Sequence, residues 1–197
     1  MEQGTEEWKL ARLGKVTASR VSDARAKTGT AARANYIADI ITERLTGSPT
    51  ESFSNAYMEW GTQNEPLARA AYEIKTGVWV EQVAIVNHPH IDSFAASPDG
   101  LVAEEGLLEI KCPKTSTHLN WLMKGTVPSE HKHQMLAQLA CTGRKWVDFV
   151  SFDPRLPEHL QLFVVRFQPD PKDIKDLEQD VMTFLTELDT MQRRLLV

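Results

Sequence analysis

Three residues near the middle of the chain could together bind a metal ion and activate water: Asp99, Glu109 and Lys111. Glu109 and Lys111 lie two residues apart in an apolar run, so on a β-strand their side chains share one face while Ile110 points into the core. The turn sequence Glu-Glu-Gly at 104–106 predicts a hairpin that brings Asp99 close to Glu109. Carboxylate oxygens suit Mg²⁺ or Mn²⁺, and a lysine beside them can hold or polarise an attacking water. The pattern therefore predicts a metal-dependent hydrolytic site.

The same residues also have an ordinary structural interpretation. Asp-Gly and Glu-Glu-Gly are common turn sequences, and Glu-x-Lys on a strand is usually a solvent-exposed face. Leu107, Leu108 and Cys112 flank the pair, however, and predict that this strand is buried. Because an unpaired buried charge is costly, burial favours a functional role for Glu109 and Lys111.

Helical and strand-like segments surround these residues and predict an α/β fold, with a central mixed β-sheet flanked by helices. Apolar residues recur every three or four positions in the last helix, which predicts one stripe that packs on the sheet. That stripe consists of Ile174, Leu177, Val181, Phe184, Leu188 and Met191. The predicted helices are 17–26, 31–46, 58–76, 129–142 and 171–195. The predicted strands are 78–86, 93–96, the hairpin 101–111, 145–152 and 160–167.

Length and composition are typical of one globular domain that spans residues 1–197, since 42% of the residues are hydrophobic and 25% are charged. No apolar run approaches the roughly 18 residues of a membrane span, and no basic-then-apolar leader is present. Cys112 and Cys141 both lie in apolar stretches, which favours reduced thiols and a cytoplasmic setting.

The net charge of −5 is unevenly distributed along the chain. Residues 9–44 carry eight Lys or Arg against three acidic residues, whereas residues 170–189 carry seven acidic residues against two lysines. A basic N-terminal face and an acidic C-terminal helix are compatible with DNA held locally while the exterior repels it. On charge alone, two solvated helix faces are an equally good interpretation.

The spacing D-x9-E-x-K resembles the signature of the PD-(D/E)xK nucleases, and its flanks resemble the phage lambda exonuclease, or YqaJ-type viral recombinase, branch. Four further segments agree in order with that branch. They are 8–19 (WKLARLGKVTAS), 60–65 (WGTQNE), 134–143 (QMLAQLACTG) and 152–155 (FDPR). Ordered matches over about three quarters of the chain are more specific than any single motif. The resemblance implies a restriction-endonuclease-like core.

The resemblance also assigns roles within the central site. It implies that Asp99, Glu109 and the backbone carbonyl of Ile110 bind metal, with Lys111 as the residue that positions water. Glu65, which alone would be expected on a solvent-exposed helix face, becomes a third carboxylate that reaches the metal. Gln134 matches the first glutamine of the family's QxQ motif and is expected beside Lys111, but the second glutamine is replaced by Leu136.

A second set of residues is implied to bind the 5′-terminal phosphate of DNA: Arg12, Ser19 and Ser97. A guanidinium group matches phosphate oxygens bidentately, and hydroxyl groups can donate further hydrogen bonds. Without the resemblance, a helix cap with a surface arginine explains the N-terminal pair better. Met58 matches a position where the family presents an apolar side chain to the duplex end, as a strand-separating wedge. Its alternative is a core methionine.

The resulting hypothesis is a Mg²⁺-dependent 5′→3′ exonuclease on double-stranded DNA, with Mn²⁺ as a substitute metal. It would release 5′-mononucleotides and leave 3′ single strands for phage-type recombination by strand annealing. The resemblance further implies a ring-shaped homotrimer, a single-strand annealing protein as partner, and a phage or prophage protein in the bacterial cytoplasm. The alternatives are an endonuclease or nickase of the same superfamily, and a DNA-end-binding module without catalysis.

Overall fold

The computed structural model describes residues 1–50 and 56–197. Its strands are β1 (Val16–Thr17), β2 (Val80–Glu81), β3 (Val86–Asn87), β4 (Phe94–Ala96), β5 (Gly100–Val102), β6 (Gly106–Lys111), β7 (Trp146–Phe152) and β8 (Leu162–Phe167). Its α-helices are α1 (Glu6–Arg12), α2 (Val21–Ala24), α3 (Ala31–Thr46), α4 (Ala56–Thr76), α5 (Thr115–Lys124), α6 (Lys132–Thr142), α7 (Glu158–Gln161) and α8 (Pro171–Leu195).

A five-stranded mixed sheet forms the centre of the fold, with the strand order β2-β5-β6-β7-β8. Strand β6 pairs antiparallel with β5 and parallel with β7, while β7 pairs antiparallel with β8. Helix α4 packs on one face of this sheet, and α5 and α6 pack on the other. The predicted α/β fold, a central mixed sheet flanked by helices, is confirmed.

Strand β6 shows why the sheet is covered on both faces. Leu108 and Ile110 join the apolar cluster on the α4 side, whereas Leu107 joins the cluster with Trp121 and Met135 on the α5–α6 side. Alternation along a strand therefore directs Glu109 towards α6 and Ile110 towards α4. The expectation that Ile110 points into the core while Glu109 and Lys111 share the other face is confirmed.

A smaller three-stranded sheet, in the order β1-β4-β3, carries the N-terminal segment. Its residues Val16 and Phe94 belong to a core cluster that also includes buried residues of α3, α6 and α8. The apolar stripe of α8 packs mainly on α6, α2 and α3. The prediction that this stripe packs on the sheet holds for Ile174, which packs against the cluster of Leu107 and Phe149. It is wrong for most of the stripe, because α6 supplies the main apolar surface for α8. Leu177, Val181, Phe184 and Leu188 are buried there, but Met191 is exposed.

The charge asymmetry is largely satisfied inside the molecule. Arg25, Arg33 and Arg44 each form an ion pair with a carboxylate of α8, and the Arg33 pair with Glu187 is the most buried of the three. The acidic helix therefore lies against the basic segment and neutralises much of it. These three arginines therefore stabilise the packing of α8, and a DNA-binding role for the segment stays a prediction.

Two predicted elements are divided differently in the structure. The predicted helix 17–26 shrinks to a 3-10 turn at Ala18–Arg20 and the short α2, because Val16–Thr17 pairs with β4 instead. The predicted strand 78–86 contains β2 and β3, which belong to different sheets, so the chain crosses from one sheet to the other between them. Helices α1, α5 and α7 are not among the predicted elements, and α7 extends into the start of the predicted strand 160–167.

Both cysteines are free thiols, with Cys141 buried and Cys112 half-buried, in agreement with the sequence. Burial raises the pKa of Cys112 to about 12, and the nearby Glu65 and Asp99 carboxylates add to the effect. None of the helices in the described residues is long and apolar enough to cross a membrane.

Candidate active site

The β5–β6 hairpin places Asp99 opposite Glu109, as the sequence predicts. Gly100 pairs with Leu108, and the Asp99 backbone N–H donates to the Leu108 carbonyl at 3.1 Å. The Asp99 carboxylate in turn accepts a hydrogen bond of 2.6 Å from the Ile110 backbone N–H. Gly100 is needed here because a Cβ at this position would lie 2.1 Å from Cγ1 of Val80. The tight Asp-Gly step thus fixes Asp99 at the open end of the hairpin.

Glu109 is fully buried, and both of its carboxylate oxygens accept hydrogen bonds. Gln134 Nε2 donates to Oε1 at 2.6 Å, and the Lys111 ammonium contacts the same oxygen. Gln138 Nε2 donates to Oε2. Gln134, Gln138 and Lys111 thus stabilise the buried carboxylate of Glu109. A buried charge is tolerated only when such partners compensate for its lost hydration.

Gln138 was not predicted as a site residue, although a signal for it was present. It follows Gln134 by four residues on α6, so both side chains lie on the same helical face. Two glutamines at this spacing in an otherwise apolar helix indicate a polar partner beneath it. Leu136, at the expected second position of the QxQ motif, is buried in the core on another face.

The charges of the site are unbalanced towards the negative. Burial and repulsion from Glu109 raise the pKa of Asp99 well above its usual value, and Glu65 adds to the rise. Burial acts to lower the pKa of Lys111, but Glu109 and Asp99 outweigh it and the pKa is raised. The lysine therefore stays protonated near neutral pH. In the described residues, Lys111 and Arg69, which pairs with Glu65, are the two cations that face the three carboxylates. A divalent cation would relieve this repulsion, so the donor set fits hard metal ions.

Asp99 and Lys111 line a cleft of about 410 Å³ together with Met58, Trp121 and His131, while the side chain of Glu109 is buried beside it. Glu65 lies on α4 at the cleft wall, where its carboxylate accepts a 2.6 Å hydrogen bond from Arg69. Burial, the largest cause, raises the pKa of Glu65, and Arg69 opposes the rise. In residues 1–50 and 56–197, no three Asp, Glu, His or Cys side chains are grouped closely enough to hold a metal by themselves. Glu65, Asp99 and Glu109 therefore do not form such a group in the described residues, and the role of Glu65 as a third metal-binding carboxylate stays a prediction.

A second cavity lies next to the cleft and is formed by segments far apart in the sequence. Arg12, Ser19 and Ser97 all line it, together with Thr17 and Gln134. The sequence-based set of three residues is thus brought together. Gln134 also donates to Glu109, so one side chain forms a wall of this cavity and contacts the carboxylate site.

Trp8 supports the arginine of this cavity. The Arg12 guanidinium lies 4.0 Å from the centre of the Trp8 ring, and the indole Nε1 donates to Ser97 Oγ at 3.0 Å. Arg12 also donates to Ser19 Oγ at 3.4 Å. Stacking on an indole orients the guanidinium while leaving most of its donors available.

Arg12 differs from the other arginines of the N-terminal segment. Arg20, Arg25, Arg33 and Arg44 all form ion pairs with carboxylates. Across the described residues, Arg12 makes no ion pair. Burial lowers the pKa of Arg12, opposed by Tyr36 and Glu43, yet an arginine remains protonated at neutral pH. Within the described part of the chain, the cavity thus carries a positive charge that no carboxylate contacts directly.

Met58 and His131 line the cleft from opposite elements. Met58, on the first turns of α4, is 53% exposed and also borders the surface around Arg12, so the core-methionine alternative is wrong. The His131 ring stacks on Phe149 with centroids 5.4 Å apart. Burial, the largest cause, and the Lys111 charge lower the pKa of His131, so its imidazole is neutral near pH 7.

Known proteins share this sequence pattern and this fold. The sequence model of the YqaJ-like viral recombinase domain matches residues 7–145. The chain belongs to that family. Members of this family resemble the lambda-exonuclease branch recognised from the motifs, so the sequence-based recognition is confirmed. No curated protein gave a significant match.

Solved structures extend the likeness to nearly the whole chain. An alkaline exonuclease, LHK-Exo from Laribacter hongkongensis, is 50% identical, with a TM-score of 0.91 over 97% of this chain and 96% of that one. The same figures apply to LHK-Exo in complex with dAMP. A phage-related exonuclease from Haemophilus somnus 129PT is 14% identical, with a TM-score of 0.74 over 92% and 96% of the two chains, and shows the fold alone. Together the family and LHK-Exo support a nuclease of the exonuclease type.

Proposed function

We propose that residues 1–197 form one nuclease domain, a Mg²⁺-dependent 5′→3′ exonuclease on double-stranded DNA. The observation that carries this proposal is the position of Gln134, which lines the Arg12 cavity and donates to Glu109. A strand whose 5′ phosphate lies against Arg12 would have its next phosphodiester within reach of the carboxylates. Cleavage there releases a mononucleotide from the 5′ end.

The relative supports this class of product. LHK-Exo has been solved with dAMP, a deoxynucleoside monophosphate. Hydrolysis of one terminal linkage in DNA yields a molecule of that class. With 50% identity over nearly the whole chain, we extend exonuclease action on DNA to this protein.

Asp99, Glu109 and the Ile110 carbonyl would hold the metal, and Glu65 would join them by leaving Arg69. When bound, the ion supplies Lewis acidity at the scissile phosphate. Lys111 remains protonated beside Glu109, so it would orient the attacking water and stabilise negative charge that develops on phosphate oxygens. Gln134 would align the scissile linkage from the side of the Arg12 cavity.

The Arg12 cavity favours an exonuclease over an endonuclease. Its guanidinium, which makes no ion pair in residues 1–50 and 56–197, matches a terminal phosphate, which carries more negative charge than an internal one. Ser19 and Ser97 would donate hydrogen bonds to the same group. Met58, exposed between the cavity and the cleft, would contact the first base pair and help to separate the strands.

Assembly and partners belong to the same proposal. We expect a ring-shaped homotrimer around DNA, a single-strand annealing protein that receives the 3′ strand, and a phage-type role in the bacterial cytoplasm. Exposed apolar side chains such as Ile74 and Trp79, 86% and 80% accessible, favour contact with another protein surface. Light scattering would test the trimer directly, since a monomeric mass would exclude it.

The test of the proposed function is a digestion in Mg²⁺ of three DNAs: a 5′-phosphorylated linear duplex, its 5′-hydroxyl counterpart and a closed circle. We expect the phosphorylated duplex to be digested well ahead of the hydroxyl duplex, with the circle intact. A cut circle would support the endonuclease alternative. No digestion of any DNA would support the end-binding module without catalysis.

A further inference from the structure

The side chain of Gln138 occupies an unusual position for an amide. It is fully buried on α6, and its Nε2 donates to Oε2 of Glu109. Its own Oε1 is buried as well and, among the described residues, has no hydrogen-bond partner. A buried polar atom without a partner costs free energy, so its presence calls for an explanation.

The orientation of the amide follows from its neighbour. An ionised carboxylate only accepts hydrogen bonds, so the NH₂ group of Gln138 must face Glu109 and the oxygen must face away. An apolar residue such as methionine would fill the same space without leaving an orphan oxygen. The contact with Glu109 is therefore the feature that an amide, and not an apolar side chain, provides here.

The three donors around Glu109 are divided unequally between its oxygens. Gln134 and Lys111 both contact Oε1, while Gln138 is the donor observed at Oε2 within the described residues. The terminal torsion of a glutamate is soft, so a carboxylate held at one oxygen can still rotate. Contacts at both oxygens fix the plane of the group.

We propose that Gln138 is a positioning residue that fixes the Glu109 carboxylate in the orientation that binds the divalent cation. The inference rests on the proposed function, in which Glu109 is a metal ligand. Gln134 and Gln138 then act differently, although they occupy one helical face. Gln134 lies at the cavity wall and is available to DNA, whereas Gln138 is covered by protein and acts only through Glu109. Loss of such a supporting contact typically weakens metal binding by about 10- to 100-fold.

Calorimetric titration with Mn²⁺ in the absence of DNA tests this inference. The variants are Gln138→Met, which removes the donor at similar volume, and Leu139→Met, a buried apolar change one residue along α6. We expect Gln138→Met to bind Mn²⁺ about 10- to 100-fold more weakly than wild type, and Leu139→Met to bind it as wild type does. Steady-state digestion at saturating Mn²⁺ should show a reduced kcat with an unchanged KM for DNA.

Mn²⁺ affinity of Gln138→Met within twofold of wild type would overturn the inference. Gln138→Asn is measured in parallel, because it keeps a polar side chain but is too short to reach Oε2. If Gln138→Met does not fold, the Mn²⁺ affinity of Gln138→Asn is judged by the same twofold criterion.

The variant Glu109→Gln distinguishes a failure of the proposed metal site from a failure of the role of Gln138. If that variant binds Mn²⁺ as tightly as wild type, the proposed metal site itself is wrong. If it loses binding while Gln138→Met keeps it, only the role of Gln138 is wrong.

Discussion

Gln134 links the carboxylate cleft to the Arg12 cavity, but the two regions are built in opposite ways. Beside the cleft, Glu109 is fully buried and receives hydrogen bonds at both oxygens from β6 and α6. In the cavity, Arg12 is held by stacking on Trp8 and by a long 3.4 Å contact with Ser19. The cleft is organised by internal partners, whereas the cavity keeps a cation whose charge is not balanced by an ion pair in the described residues.

This difference shows how the two sites can prepare for different ligands. A carboxylate that binds metal must be ionised and fixed, and both conditions are met by surrounding it with donors. An arginine that binds phosphate must keep its donors available, and stacking on an aromatic ring achieves this without occupying them. Four other arginines of the N-terminal segment form ion pairs with carboxylates, so their charges stabilise the fold and are not available to a ligand in the same way.

Loss of the cleft cation should have the largest effect. We expect Lys111→Met to reduce cleavage by about 10³-fold or more, because charge stabilisation and water orientation are both lost. Binding to the duplex should persist, since the Arg12 cavity is untouched. Single-turnover digestion and fluorescence anisotropy measure the two properties separately.

Lys145→Met is the matched control, because Lys145 is exposed and pairs with Glu105 in the β5–β6 turn, away from the cleft. It should digest DNA at the wild-type rate. Cleavage by Lys111→Met within tenfold of wild type would remove the lysine from the catalytic set.

Arg33, which forms an ion pair, should contribute to the stability of the fold and not to the recognition of 5′-phosphorylated DNA ends. Arg33 is buried and donates to Glu187 at 2.8 and 2.6 Å. We expect Arg33→Met to lower the free energy of unfolding by about 3 kcal/mol, because Glu187 and backbone carbonyls lose their donor. Urea unfolding measures the change, with Arg193→Met on the exposed end of α8 as control. We expect the folded Arg33→Met fraction to keep its preference for 5′-phosphorylated DNA. Loss of that preference would show that Arg33 and Arg12 do not differ in the way proposed.

Arg12 should show the reverse behaviour. We expect Arg12→Met to digest 5′-phosphorylated duplex about 10- to 100-fold more slowly, the value of charged hydrogen bonds to phosphate. Its rate on 5′-hydroxyl duplex should change little, so the preference between the two ends disappears. Equal slowing on both ends would mean that Arg12 contacts DNA without recognising the terminal phosphate.

Met58 lies between the two regions and should have the smallest effect. We expect Met58→Ala to digest a blunt duplex about fivefold more slowly, since alanine loses a contact with the terminal base pair. A duplex whose end is already frayed by mismatches should be digested at the wild-type rate. An unchanged rate on the blunt duplex would exclude the wedge.

The contrast between the regions also explains what the sequence could predict. Asp99, Glu109 and Lys111 lie on one hairpin, so short-range spacing sufficed to bring them together. The Arg12 cavity combines residues of distant segments, and only the family resemblance joined Arg12 to Ser97. Their placement is now observed, while their roles are proposals.

Three features were not predicted, for one physical reason. The apolar stripe of α8 showed which face is buried but not which element covers it, and α6 covers most of it. Likewise, the charge count of the N-terminal segment did not show that Arg33 faces Glu187. The spacing of Gln134 and Gln138 indicates a polar partner beneath α6, but it does not show that this partner is Glu109. In all three cases the outcome depends on which elements pack against each other in the fold, and a local sequence pattern does not show this.

The central claim is that a 5′ end in the Arg12 cavity presents its first linkage to the carboxylate cleft. A single-turnover digestion of 5′-phosphorylated duplex in Mg²⁺, with the label in the 5′-terminal nucleotide, tests it most directly. We expect the label to appear first as a mononucleotide, before any change at the 3′ end. Release of the label in longer oligonucleotides, or initial loss from the 3′ end, would contradict the account.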